Sequence, residues 1–114
     1  MHELGIAESA LELALAQARS AGASRVLRMV IRVGALSGVD PEALGFAFTA
    51  ILPGTAAEGA NVQIDPVTAI AYCPACQKDF SPDTEHFFEC PTCGQLCATV
   101  KQGRELDLVH LEMI

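Results

Sequence analysis

The chain has 114 residues, of which 51% are hydrophobic and 18% are charged, a composition typical of a folded globular protein rather than a disordered one. Fourteen acidic against seven basic residues give a net charge of −7, which argues against a nucleic-acid partner because phosphate binding requires a basic surface. The sequence starts without the basic segment of a signal peptide and contains no apolar stretch long enough to span a bilayer, so we expect a soluble cytoplasmic protein without a membrane partner.

The first 34 residues predict a helix followed by a strand. Apolar residues recur at helical spacing over 4–18 in an alanine-rich segment, and Gly22 provides a C-terminal stop. From Arg25 to Val33 the period changes to two and β-branched residues dominate, which indicates a strand. The face predicted to be buried carries Leu27, Met29, Ile31 and Val33.

A second helix and a second strand are predicted next. Asp40-Pro41-Glu42 supplies a capping side chain, a proline at the first helical position and an acid in the first turn. Pro53-Gly54 ends this helix, and residues 61–72 follow as a strand. Because Pro66 cannot donate to a ladder, that strand is expected at an edge or at a bulge.

A cysteine-rich segment follows, which we interpret as a small domain inserted into the αβ unit. The predicted division is 1–72 plus 101–114 for the αβ domain and 73–100 for the inserted one. The last strand, 105–113, shifts its alternation midway, which suggests a bulge or burial on both faces as in a central strand. The predicted fold class is α+β, with two helices on a mixed three-stranded sheet and an inserted zinc-ribbon-like domain.

Two Cys-Pro-x-Cys pairs, separated by thirteen residues, predict a metal site in this segment. Two residues between thiolates allow a tight turn to direct both sulfurs at one tetrahedral ion, and four sulfurs leave no position for water or substrate. The ion is therefore expected to be structural zinc. A single iron ion or an iron–sulfur cluster uses the same ligands, so the spacing leaves iron open. The candidate ligands are Cys73, Cys76, Cys90 and Cys93.

Other metal-binding side chains receive simpler interpretations. Cys97 is interpreted as a small apolar filler and His86 as a surface residue, although either could compete as a ligand if pH or metal load changed. His110 lies among apolar neighbours in the last strand, where packing or a hydrogen bond explains it. A redox dithiol of the thioredoxin type needs one such pair at a strand-to-helix junction, not two matched pairs.

The first three residues can form a nitrogen chelate. A free Met1 amine, the His2 amide and imidazole nitrogens and the Glu3 amide can surround one ion in a plane, a geometry that suits Ni(II) or Cu(II). Such binding requires deprotonated amides, so it should release protons and fail in acid. Taken alone the pattern is weak, because many chains begin Met-His by chance.

Several segments together resemble the HypA/HybF family of hydrogenase maturation factors over essentially the whole chain. They are Met1-His2-Glu3-Leu4, the run from Gly34 to Glu42, Phe46-Ala47-Phe48 and the two Cys-Pro-x-Cys pairs. The resemblance implies a non-enzymatic nickel metallochaperone for [NiFe]-hydrogenase, with a HypB-type maturation GTPase and the hydrogenase large subunit as partners. The family's nickel site corresponds to Met1, His2 and Glu3, and its zinc ligands to the four paired cysteines.

The sequence departs from the family pattern at position 5, where members often have serine. Gly5 is an acceptable helix cap without a side-chain acceptor, so a looser terminus and weaker nickel binding are expected. Two other functions stay open: a zinc-ribbon module for protein or nucleic-acid interaction without a nickel role, and a thiol oxidoreductase. Some relatives serve urease maturation, which the sequence does not decide.

Overall fold

The computed structural model of the protein describes residues 3–82 and 88–114. Within these ranges the chain forms two helices and six strands, which assemble into two three-stranded sheets. In chain order the elements are α1 (Glu3–Ser20), β1 (Val26–Gly34), α2 (Pro41–Ile51), β2 (Asn61–Val67), β3 (Ile70–Cys73), β4 (Lys78–Phe80), β5 (Thr99–Gln102) and β6 (Leu106–Met113). None of the helices in the described ranges is long and apolar enough to cross a membrane.

The first sheet is mixed, with the order β2-β1-β6. β1 pairs with β2 in parallel and with β6 antiparallel. A parallel neighbour requires a crossover connection, which α2 provides between β1 and β2. The two helices and this sheet form the αβ unit, and they confirm the predicted fold class.

The core of the αβ unit lies between the helices and the sheet. Small residues on α1 (Ala7, Ala14 and Ala18) are buried there, which allows the helix to approach the sheet closely. Phe48 of α2 and Met29 of β1 are the largest fully buried side chains. Removing a buried phenylalanine side chain typically costs about 3–5 kcal/mol, so the burial of Phe48 is a major contribution to the unit's stability.

The buried face predicted for β1 is wrong at Leu27. Leu27 was expected to be buried beside Met29, but it is 40% exposed, whereas Val26 is fully buried. The β1–β6 register shifts between Val26 and Arg28. A shift of this kind turns the following side chains to the opposite face, which explains why a strict period of two misplaces Leu27.

Residues 61–72, predicted as one strand, form two. β2 ends at Val67, and β3 starts at Ile70 in the second sheet. Pro66 lies in β2 at an edge of the first sheet, as expected for a residue without an N–H to donate. The period of two continues across the break, so the sequence pattern alone does not reveal the change of sheet.

The last strand contains the predicted bulge but is not central. The β1–β6 register shifts where Val30 pairs with His110 and Ile31 pairs with Leu108, which leaves Val109 as the extra residue. β6 lies at an edge of the sheet. The change of phase in its sequence therefore reports a bulge and not burial on both faces.

Helix α2 begins as predicted, whereas α1 begins earlier. The Asp40 carboxylate accepts the Glu42 N–H at 3.0 Å, with Pro41 at the start of the helix. α1 already begins at Glu3, so Gly5 lies inside its first turn and is not the cap. The premise that Gly5 caps α1 is therefore wrong, and the weaker nickel binding inferred from it stays an untested prediction.

The two sheets are joined where the chain leaves and re-enters the αβ unit. Gly34 and Gly103 touch backbone to backbone: a Cβ added at Gly34 would lie 2.1 Å from the Gly103 oxygen. The Leu36 N–H donates to that same oxygen at 2.7 Å, and the Ala35 N–H donates to the Val67 oxygen at 2.9 Å. This junction is thus a hydrogen-bonded contact between backbones.

The domain division at 73 and 100 stays a prediction, although β3 and β5 extend the second sheet beyond both limits.

The Glu105 carboxylate holds the junction and should make its stability depend on pH. Hydrogen bonds from the backbone N–H groups of Glu105 and Gly103 lower the pKa of this carboxyl, and Arg32 lowers it further. A lowered pKa in the folded state contributes stability above the ordinary value of 4.5, and this contribution is lost as the pH falls through the folded pKa. We expect Glu105→Gln to reduce the free energy of unfolding at pH 7, because the amide cannot supply this carboxylate contribution.

Urea denaturation at pH 7 and at several values below 4.5 measures this effect. The difference between parent and variant should shrink as the pH falls, and comparing the two cancels any metal contribution that they share. Glu12→Gln, which removes an exposed carboxylate of α1, controls for the change in net charge. A difference that stays constant with pH would contradict the assigned role of Glu105.

Candidate metal centre

The second sheet positions the first cysteine pair. Its order is β4-β3-β5, and β3 and β4 form a hairpin in which Cys73 pairs with Lys78. Residues 74–77 form the turn of this hairpin. Gln77, directly after Cys76, has a φ of 54° and is the one non-glycine residue with positive φ among the described residues. In the first turn, Cys76 is therefore followed directly by a residue, Gln77, with a strained backbone conformation.

The second cysteine pair lies in a similar turn. The Cys90 N–H donates to the Gln95 oxygen at 2.9 Å, and the Gly94 N–H donates to the Cys90 oxygen at 2.8 Å. Gly94 follows Cys93 and has a φ of 75°, a left-handed conformation that glycine adopts without steric cost. Glu89 and Leu96 close the turn as an isolated β-bridge.

These two turns bring four cysteine sulfurs to one point. The sulfurs of Cys73, Cys76, Cys90 and Cys93 all lie within 4.8 Å of one another. The Cys73–Cys93 pair is separated by 3.7 Å and the Cys76–Cys90 pair by 3.9 Å. With Zn–S bonds of about 2.3 Å, a regular tetrahedron has edges of about 3.8 Å. The cluster therefore has the dimensions of a tetrahedral tetrathiolate site and could hold a zinc ion.

Backbone hydrogen bonds favour a thiolate on one cysteine of each pair. The Cys76 N–H contacts the Cys73 sulfur at 3.4 Å and is the main cause of a lowered Cys73 pKa. The N–H groups of Cys93 and Thr92 lower the pKa of Cys90 to about 6. A hydrogen bond with Cys93, together with burial, raises the pKa of Cys76 to about 12. The metal-free cluster thus retains thiol protons that a divalent ion must displace.

Cys97 lies beside the cluster without joining it. It is buried, and its thiol contacts the Gln95 oxygen at 3.4 Å rather than completing the group of four. Burial raises its pKa to about 11, which keeps it protonated at neutral pH. This arrangement agrees with its interpretation as an apolar filler. His86 lies outside the described residues.

The second sheet and the two turns, named the cysteine unit here, have little hydrocarbon core. The buried cluster of the unit consists of Cys73, Cys90 and Cys97, with Cys76 and Phe80 packed against it. A core made largely of sulfur supplies little hydrophobic stabilisation, so a small unit of this kind depends on metal binding for its folding free energy.

The predicted nickel site is described only at Glu3, because Met1 and His2 lie outside the described residues. The Glu3 carboxylate accepts the Asp40 N–H at 3.3 Å and thereby connects the start of α1 to the start of α2. Sequence reasoning assigned Asp40 only a capping role and missed this contact. No local pattern indicates it, since 37 positions separate the two residues.

Together, these features define a class of protein in which an αβ unit, with the start of α1 in contact with the start of α2, carries a unit of four cysteines that could hold a metal ion. A family model described as "Hydrogenase/urease nickel incorporation, metallochaperone, hypA" matches residues 1–113. The chain belongs to this HypA family.

Proteins similar to this chain over nearly its full length support this assignment. A hydrogenase maturation factor HypA from Picosynechococcus is 40% identical over 114 residues and covers 100% of both chains. Another from Chlorobium limicola is 44% identical and covers 92% of this chain and 90% of its own. The solution structure of the Ni metallochaperone HypA from Helicobacter pylori matches with a TM-score of 0.70 at 25% identity, covering 100% of this chain and 98% of that one.

Substitutions of Gln77 and Gly94, the residues that follow Cys76 and Cys93, should change zinc affinity in opposite directions. An alanine at Gly94 would meet no atom within 4 Å, so its cost is conformational alone. An L-residue in this left-handed conformation costs about 1 kcal/mol, which corresponds to about fivefold weaker zinc binding. Gln77→Gly removes the same strain from the first turn and should strengthen binding.

Zinc competition with a chromophoric chelator at fixed pH measures both effects. Gly22→Ala is the matched control because Gly22 has a φ of 71°, also has open space around it, and lies in the αβ unit. It should destabilise the αβ unit and leave zinc affinity unchanged. Equal zinc affinities for Gly94→Ala and the parent would contradict the role assigned to the turn.

Proposed function

We propose that the protein is a nickel carrier that binds Ni(II) at its N-terminus and delivers it for insertion into the active site of [NiFe]-hydrogenase. Membership of the nickel-incorporation family is the observation that carries this proposal. The similar proteins are named as hydrogenase maturation factors, which favours hydrogenase as the client. The protein acts as a carrier and performs no catalytic step of its own.

The nickel ligands in this proposal are the Met1 amine, the His2 amide and imidazole nitrogens and the Glu3 amide nitrogen. Glu3 is the first residue of α1, and the first four N–H groups of a helix have no acceptor within it. Deprotonating the Glu3 amide therefore breaks no helical hydrogen bond. Two deprotonated amides neutralise the two charges of Ni(II), so the complex is compatible with the positive end of a helix.

The contact between Glu3 and Asp40 supports a defined position for this chelate. The Glu3 carboxylate accepts a backbone N–H at the cap of α2, so the third ligand residue is held against the αβ unit. The amine and imidazole precede it in the chain. Ligands at the end of a chain can exchange an ion rapidly, which suits a cargo rather than a resident metal.

The four paired cysteines, in this proposal, hold one structural zinc ion. Four protein sulfurs complete the coordination sphere and leave no site for water or substrate. The support is the tetrahedral spacing of Cys73, Cys76, Cys90 and Cys93. Zinc therefore stabilises the 73–100 domain, while nickel is the ion that is transferred.

We assign a HypB-type maturation GTPase and the hydrogenase large subunit as partners, in the cytoplasm. A nucleic-acid partner is disfavoured by the charge of −7. Of the two lysines near the cysteine pairs, Lys101 already forms an ion pair with Asp79 at 3.0 Å. This leaves the cysteine unit with little free positive charge to contact phosphates.

Substitution of His2 tests the nickel site. His2→Gln removes the imidazole, and a short N-terminal extension removes the free amine, so either change should abolish nickel binding while zinc content and fold persist. His110→Gln is the matched control, since His110 is an exposed histidine of β6 and is not one of the proposed nickel ligands. Equilibrium dialysis at pH 7.5 should give about one nickel per chain for the parent and the control, and none for the other two.

Lowering the pH should release nickel from the parent, because the ligating amides regain their protons. Unchanged nickel uptake by His2→Gln or by the extended chain would refute the N-terminal site. Loss of nickel uptake from His110→Gln would place the ion elsewhere.

A further inference from the structure

A groove runs between α1 and the outer edge of β6. Its wider part has a volume of about 520 Å³, and a second part of about 270 Å³ continues it towards the end of β6. Leu13 of α1 and Leu108 of β6 line both parts, so the two parts adjoin. Neither the zinc nor the nickel proposal uses this surface.

One wall of the groove is an edge strand. β6 ends the order of the first sheet, and no strand in the described part of the chain pairs with its outer side. The backbone N–H and C=O groups on such an edge are free to pair with an added strand. The bulge at Val109 interrupts β6, so residues 106–108, beside the wider part, offer the regular stretch.

The other wall has the shape needed to receive side chains. Gly5, Ser9 and Ala10 of α1 are small, so space remains between this helix and the strand. Leu13 is 48% exposed and Leu106 is 37% exposed, which gives both walls apolar surface. A strand added to β6 would direct alternate side chains into this space, since successive residues point to opposite faces.

Charge selects the occupant. Asp107 lines the groove, and Glu8 and Glu12 line an adjoining hollow that shares Gly5 and Ser9 with it. Among the described residues, no basic group forms an ion pair with any of these three carboxylates. With a net charge of −7, a second copy of this chain would be repelled, whereas a segment rich in lysine or arginine would be attracted.

We propose that this groove docks an extended, basic segment of a partner protein, which pairs with residues 106–108 of β6 and inserts alternate apolar side chains against α1. This docking is independent of nickel. It places the partner along the helix whose first residue, Glu3, is a proposed nickel ligand.

The test uses the zinc-loaded full chain without nickel and two seven-residue probe peptides, one alternating valine and lysine and the other alternating valine and glutamate. Amide chemical shifts of the labelled protein should change over 5–13 and 106–108 with the lysine peptide and hardly at all with the glutamate peptide. Leu13→Lys should weaken binding at least tenfold. Leu4→Lys, which adds the same charge at a 50% exposed leucine of α1 outside the groove, should weaken it less than twofold.

Three results of the peptide titrations would overturn the proposal. They are shift changes confined to other surfaces, equal losses for Leu13→Lys and Leu4→Lys, and equal binding of the two peptides. A dimer in sedimentation that Leu13→Lys abolishes would also overturn it, since the occupant would then be a second copy of this chain. Because no nickel is present, none of these outcomes bears on the N-terminal chelate.

Discussion

The convergence of four cysteine sulfurs, all within 4.8 Å of one another, is the constraint on which the cysteine unit depends. Thiolates at this separation repel one another unless a cation lies between them. The αβ unit has a hydrocarbon core built from both helices and the sheet, whereas the cysteine unit buries mainly sulfur. The first unit therefore has the larger hydrophobic contribution to its stability, and we propose that the second depends on its zinc ion.

The junction between the two sheets connects the cysteine unit to the αβ unit. Gly34 and Gly103 are in backbone contact, so the chain entering and leaving the cysteine unit is fixed against the end of β1. The loop that starts there leads to Asp40, whose N–H contacts the Glu3 carboxylate. One short, hydrogen-bonded segment thus connects the cysteine unit to Glu3, a proposed nickel ligand.

Much of this architecture could be predicted from local pattern, and the failures have physical causes. The α2 cap and the four cysteines depend on neighbouring residues in the sequence, and both predictions agree with the structure. Leu27 was misplaced because a bulge is a property of strand pairing. The break after Val67 was missed because both strands keep the same alternation. The Glu3–Asp40 contact depends on how two helices pack, which no local pattern encodes.

X-ray absorption at the zinc edge of the loaded protein tests the central claim most directly, because it counts the atoms bound to the ion. The proposed site predicts four sulfur neighbours at about 2.3 Å and no nitrogen or oxygen in the first shell. A shell with fewer sulfurs, or with lighter atoms at about 2.0 Å, would contradict the closed tetrathiolate and with it the structural role of the metal.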